Sequence, residues 1–186
     1  MADQLVTPEE LASYLQQDLD ASTANLLIDL ATGIVQSTVG QRLVEATTTA
    51  LLDVTEPDSW LELPQRPVQS VAAVALNGDP VTDWVLRNQR LWRAAGWLAN
   101  SWEPSQVEVT WTHGYPAGDR YLEMARLVTL SLAGSAYPNP GAVKSESIDD
   151  YRVSFDDAVA RMQLTEPARL ALINAYGISA YVTVSR

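Results

Sequence analysis

Six short segments between residues 50 and 113, ALLDVT, SWLEL, VQSVAAVAL, DWVL, RLWR and VEVTWTH, are rich in β-branched and aromatic residues and are parted by turn residues. Segments of that kind bury their apolar faces only by pairing with one another, so the chain must contain a sheet. Asn77-Gly78 within NGDP (77–80) is the clearest hairpin signal, because both residues tolerate the positive φ angles that a two-residue turn needs. RNQR (87–90) predicts a second, weaker turn of the same kind.

Helical spacing brackets this block on both sides. In TPEE (7–10), Thr7 can cap a helix, Pro8 suits its first turn, and Glu10 can close a capping box while Glu9 complements the dipole. A short helix to about Gln17 is expected. The next starts near DASTAN (20–25), carries Leu27, Leu30, Ile34 and Thr38 at helical spacing, and stops at Gly40. After Pro116, DRYLEMARLVTLSLAGSAY places Met124, Leu127, Val128, Ser131 and Ser135 on one face, with a small-residue seam, AGSA, for close approach by a helix or a subunit. SESIDDYRVSF leads into a short alternating strand, and LTEPARLALINAYG is a last helix, capped by Thr165 and closed at Gly177. The tail ISAYVTVSR (178–186) alternates like a strand with no obvious partner in sequence. The expectation is one α+β domain over residues 1–186. Its helical parts, 1–46 and 117–186, supply about four helices, with an antiparallel β region at 50–113 between them and a C-terminal strand able to act as an arm.

Composition narrows the function. At 186 residues and 47% hydrophobic, the chain is long enough for one domain with a proper core and too short for two ordinary ones. Twelve basic against 23 acidic residues leave a formal charge of −11, which repels nucleic acid and anionic membrane and argues against a DNA reader. There is no cysteine, so disulfides, thiolate nucleophiles and Cys-ligated zinc are excluded. MADQLVTPEE has neither the basic start nor the apolar stretch of a signal peptide, and no run of roughly eighteen apolar residues occurs. A soluble protein is expected, kept in the cytosol unless an assembly carries it elsewhere.

Candidate chemistry is sparse. The one histidine, His113, stands between VEVTWT and Gly114-Tyr115-Pro116. General-base work needs an orienting carboxylate and a nucleophile within reach, and no Gly-x-Ser-x-Gly elbow occurs. The setting favours a structural residue that ends a strand and bonds a nearby loop. Asp18, Asp20 and Ser22 are spaced like the start of a calcium loop, but Thr23 stands where glycine must turn the chain and Asp29 replaces the bidentate glutamate, so helix capping explains them better. The pairs Asp149-Asp150 and Asp156-Asp157 could flank a glycosidic bond or hold magnesium, yet adjacent carboxylates in a polar loop are more often solvated surface. No phosphate loop, dinucleotide fingerprint, zinc-protease helix or glycosylation sequon is present, and no metal or cofactor is expected.

Binding surfaces are the richer signal. All six tryptophans, at 60, 84, 92, 97, 102 and 111, fall in the β region. Trp92, Trp97 and Trp102 lie in or beside AAGWLANSWEPS, a loop-like stretch for which core and subunit contact both stay open. Arg87, Arg90 and Arg93 interleave with Trp84, Trp92 and Trp97, a pattern that can stack on single-stranded nucleic acid or pair with acidic surface on a neighbouring copy. Eleven arginines to one lysine suit bidentate contacts of the second sort. In the tail, Ile178, Tyr181, Val182 and Val184 would form a strand offered to another chain.

The order of TPEELASYL, LIDLATGIVQSTVGQRL, WLELPQRPVQSVAAVALNG, RLWR, VEVTWTHGYP and SESIDDYRVSF resembles the head-to-tail connector, or head completion adaptor, family of long-tailed bacteriophages, particularly those of actinobacterial hosts. The likeness runs from Thr7 to Phe155 and rests on many soft motifs with no catalytic signature. It implies a non-enzymatic structural protein, a small helical adaptor with a β insertion, assembling into a commonly dodecameric ring beneath the portal after DNA packaging. The implied partners are sister copies, the portal protein and a downstream neck, stopper or tail protein. The implied place is the virion neck, with the host cytoplasm before assembly and no membrane. A dodecamer would carry about −132 formal charges, so DNA would slide through its bore without sequence-specific binding. The resemblance also implies that the THGYP turn joins the last strand to a helix, and that the tail from Ile178 to Arg186 reaches the portal by adding a strand. Asp149 and Asp150 depart from the family's pattern, which often has a glycine there. Two other classes stay open: a monomeric protein-binding module, and a small hydrolase using His113 with a nearby aspartate.

Overall fold

In a computed structural model of the protein, the described residues are 4–100, 102–137 and 162–177. They divide into two compact units, Met1–Gly40 with Arg120–Arg186 and Gln41–Asp119. The first is helical and the second is built of antiparallel strands, so the protein is α+β. The tail residues Ile178, Tyr181, Val182 and Val184, the strand expected in SESIDDYRVSF, and the aspartate pairs at 149–150 and 156–157 lie outside the described residues.

Helix α1 (Pro8–Leu15) starts at the expected capping box: the Glu10 amide donates to the Thr7 hydroxyl at 3.3 Å, and the Thr7 amide donates to the Glu10 carboxylate at 2.9 Å. Asp20 caps α2 (Ala21–Val39), accepting from the Thr23 amide at 2.8 Å and the Thr23 hydroxyl at 2.7 Å, so this end of the calcium-like spacing is a helix start. Gly40, at φ 73°, ends it. The buried stripe of α2 is Ala24, Leu27, Ile28, Ala31, Thr32, Val35 and Val39. Of the expected face only Leu27 belongs to that stripe, while Leu30, Ile34 and Thr38 are half-buried along its margin.

A larger correction falls on α3 (Glu123–Ala136), which follows a 3-10 turn at Arg120–Leu122. Its buried side is Ala125, Thr129, Leu132, Ala133 and Ala136, whereas Met124, Leu127, Ser131 and Ser135 are exposed and Val128 is half-buried. Met124 and Leu127 are large and apolar yet face solvent. The small ones face inward because α1 and α2 both pack on this helix, and small residues let the axes come close. At Gly134 an added Cβ would stand 3.1 Å from the Tyr14 ring and 3.3 Å from Leu15, so α1 of the same chain approaches the AGSA seam. Arg126 pairs with Glu10 and ties the two helices. Helix α4 (Glu166–Tyr176), capped by Thr165, packs on α2 and α3, and the buried Tyr176 hydroxyl donates to the Tyr121 carbonyl.

The β unit holds β1 (Ala46–Val54), β2 (Trp60–Glu62), β3 (Val68–Leu76), β4 (Asp79–Pro80), β5 (Trp84–Arg87), β6 (Arg90–Arg93) and β7 (Ser105–His113). They form two antiparallel sheets, ordered β1-β7-β3-β4 and β2-β6-β5. Strand β1 begins at Ala46, four residues before the expected start at Ala50, because the threonine run Thr47–Thr49 pairs with β7 and adds hydroxyl contacts, Thr47 to Thr112 at 3.0 Å and Thr49 to Thr110 at 2.8 Å. Both expected two-residue turns form: Asn77 and Gly78 link β3 to β4, Asn88 and Gln89 link β5 to β6, and all four have positive φ. Leu61 and Leu91 of the small sheet share one core with Val74, Val107, Val109 and Trp111 of the large one. The two sheets therefore meet through their inner faces, and their outer faces look away from each other.

Candidate functional site

Alternation along β2, β5 and β6 decides which side chains the small sheet turns outward. Leu61, Leu86 and Leu91 go to the core. The register Trp60↔Trp92↔Val85 then makes one outward row, and Glu62↔Arg90↔Arg87 makes the next. Within it, Arg90 stacks 4.9 Å over the Trp60 ring and donates to Glu62 at 3.0 Å, and Arg66 also pairs with Glu62. Val85 and Trp92 are 44% and 36% exposed. Arg87 is exposed and makes no ion pair among the described residues. Arg66 and Arg90 share the Glu62 carboxylate and Arg87 stands opposite Arg90 in the same row, so this face is locally basic in a strongly acidic chain.

Of the six interface candidates from this region, Arg87, Arg90 and Trp92 lie together on that face, and three lie elsewhere. Trp97 is fully buried, and its indole N–H donates to the Ser59 carbonyl at 3.1 Å, so of the two readings open for it the core one holds, and its place among the interface candidates is corrected. Arg93 sits on the opposite side of β6 from Arg90 and Trp92 in character: it bonds Asp83 at 2.8 Å and the Gly96 carbonyl at 2.9 Å, with its guanidinium 5.8 Å from the Trp97 ring. The Arg93 hydrogen bond holds the Asp83 carboxyl below its ordinary value. Trp102 is 91% exposed on the loop before β7, where the Asn100 side chain accepts from its amide at 3.0 Å. Sequence reasoning missed Trp60 as a surface residue; the WLE triplet holds the signal, since burying Leu61 forces its neighbours outward.

The outer face of the large sheet has the opposite charge. Its rows are Thr47↔Thr112, Thr49↔Thr110, Leu51↔Glu108 and Asp53↔Gln106. Leu51 is 56% exposed and has Asp53 and Glu108 near it with no basic side chain in these rows. Two shallow hollows mark this end of the sheet. One of about 330 Å³ is lined by Leu51, Asn77 and Glu108 among others, and one of about 490 Å³ by Asp53, Glu103 and Pro104 among others.

His113 belongs to neither face. It is fully buried at the end of β7, with Nε2 2.8 Å from the Thr48 hydroxyl and its ring 5.8 Å from that of Trp111. Gly114, at φ 88°, then turns the chain so that its amide donates to the Pro67 carbonyl at 2.9 Å and the Tyr115 amide to the Leu43 carbonyl at 2.8 Å. Among the described residues no group of three or more His, Asp or Glu side chains is placed to hold a metal ion, and no helix is long and apolar enough to cross a membrane.

No family model and no curated protein sequence matches the chain. Solved structures do. A chain from the neck of an empty gene transfer agent particle, computed with C6 symmetry, aligns with a TM-score of 0.57 at 15% identity over 87% of this chain and 90% of that one. A chain from the virion of the native gene transfer agent particle aligns with a TM-score of 0.53 at 15% identity over the same shares. The protein thus shares its fold with a chain of a particle neck, the fold class that the connector resemblance implies.

Proposed function

We propose that the protein is a structural head-to-tail connector of a long-tailed phage. In this reading it forms a ring under the portal, dodecameric as in its implied family, extends the DNA channel and offers a docking surface to the next neck or tail protein. The observation that carries the reading is the fold shared with a neck chain over most of both lengths. Two physical features support it. The net charge of −11 repeated around a bore disfavours any grip on the duplex, so DNA can pass. The outward side chains that stand out are aromatic, apolar and arginine residues of the kind that fill protein interfaces. The tail from Ile178 to Arg186 is the segment we assign to the portal contact, by strand addition. A hydrolase reading draws no support from His113, whose ring is enclosed by the core.

Mixing the protein with its purified cognate portal and imaging the product tests the proposal. A ring of added density on the portal is expected. A portal that stays bare at concentrations far above those of a normal assembly reaction would overturn it.

A further inference from the structure

The β unit presents two outward faces of opposite charge that look away from each other. On the small sheet Arg87 is exposed and makes no ion pair among the described residues, beside the apolar pair Val85 and Trp92. On the large sheet Glu108 and Asp53 flank the exposed Leu51. Each face thus holds an apolar centre next to charge, and the charges are complementary. We propose that these two faces bind each other between successive copies of this chain, Arg87 with Val85 and Trp92 of one copy meeting Glu108 and Leu51 of the next; this rests on the ring reading above and names its contact.

Three considerations choose a second copy as the occupant. A face-to-itself dimer would set one basic face against another, or one acidic face against another, and like charges opposed across an interface are repelled. Nucleic acid suits the basic face poorly, because Arg90 is already held by Glu62 and the whole chain carries −11. Contact between two different faces of identical chains is heterologous, so each copy keeps one free face, and the series continues until rotation closes it into a ring. Leu51 against Trp92 and Val85 supplies apolar burial, and the charges set the register.

The absence of native cysteine makes the contact directly testable. Tagged Arg87→Cys protein and untagged Glu108→Cys protein are mixed with the cognate portal and mildly oxidised, and linked pairs are weighed by mass spectrometry. Tagged–untagged pairs should exceed like-with-like pairs by about tenfold. In a second arm, Arg87→Glu should weaken self-association by about tenfold or more, and Arg87→Glu with Glu108→Arg in one chain should restore it. Rings that form on the portal with no excess of mixed pairs would overturn this contact and leave the connector reading standing. A bare portal together with no mixed pairs would overturn both.

Discussion

Gly114 shows how one residue can carry a junction. At φ 88° it occupies backbone space that disfavours any side chain, and an added Cβ would stand 2.6 Å from the Val44 carbonyl oxygen. Gly114→Ala is expected to lower the unfolding free energy by about 2–3 kcal/mol, read from denaturant midpoints, because backbone strain and a backbone clash act together. The neighbouring histidine is there for packing with Thr48 and Trp111. Tryptophans divide on the same principle. Trp97→Ala should cost about 3–5 kcal/mol by leaving a cavity in a filled core. Trp102→Ala should change stability by less than about 0.5 kcal/mol, since that ring is almost wholly in solvent. Equal losses at the two sites would contradict the burial described. The sequence put both in one loop-like stretch; the contact that separates them, the Trp97 indole on the Ser59 carbonyl, spans 38 positions and has no local signature.

At the scale of elements, short-range rules were legible and faces were not. The α1 capping box, the Asp20 cap and both two-residue turns could be read directly, because each depends on residues at most a few positions apart. Thr7→Ala should cost about 1 kcal/mol in a thermal or denaturant melt, with Thr7→Ser close to neutral. Acid weakens the same class of contacts. Asp20 is held below its ordinary carboxylate value by Thr23, Asp83 by Arg93 and Glu166 by Arg169, each chiefly through a side-chain hydrogen bond. Carboxyls depressed by folding stabilise the protein fully above their ordinary values and lose that contribution as the pH falls through their lower folded values. The denaturation midpoint should therefore fall between about pH 5 and about pH 2, and the fall should be smaller in Asp83→Asn; identical pH profiles would remove Asp83 from the account. The face of α3 went the other way. Met124 and Leu127 look like core by hydropathy, but two packed helices selected the alanine side, which only their combined presence can do.

For the whole molecule, charge gives the sharpest expectation. If Arg87 and Glu108 meet between copies, self-association should weaken steadily as salt rises from about 0.05 M to about 0.5 M, because exposed pairs are screened. Sedimentation across that range reads the effect, and association that strengthens with salt would point to a contact dominated by apolar surface. The class α+β, the placing of the strands between helical stretches and the caps and turns were determined by the sequence alone, since periodicity and turn chemistry act within a few residues. Which arginines share a face with Trp92, whether Trp97 or Trp102 belongs to the core and which side of α3 is buried were decided only by tertiary structure. Those outcomes depend on strand register and on what packs against each element, and both arise between segments far apart in the chain.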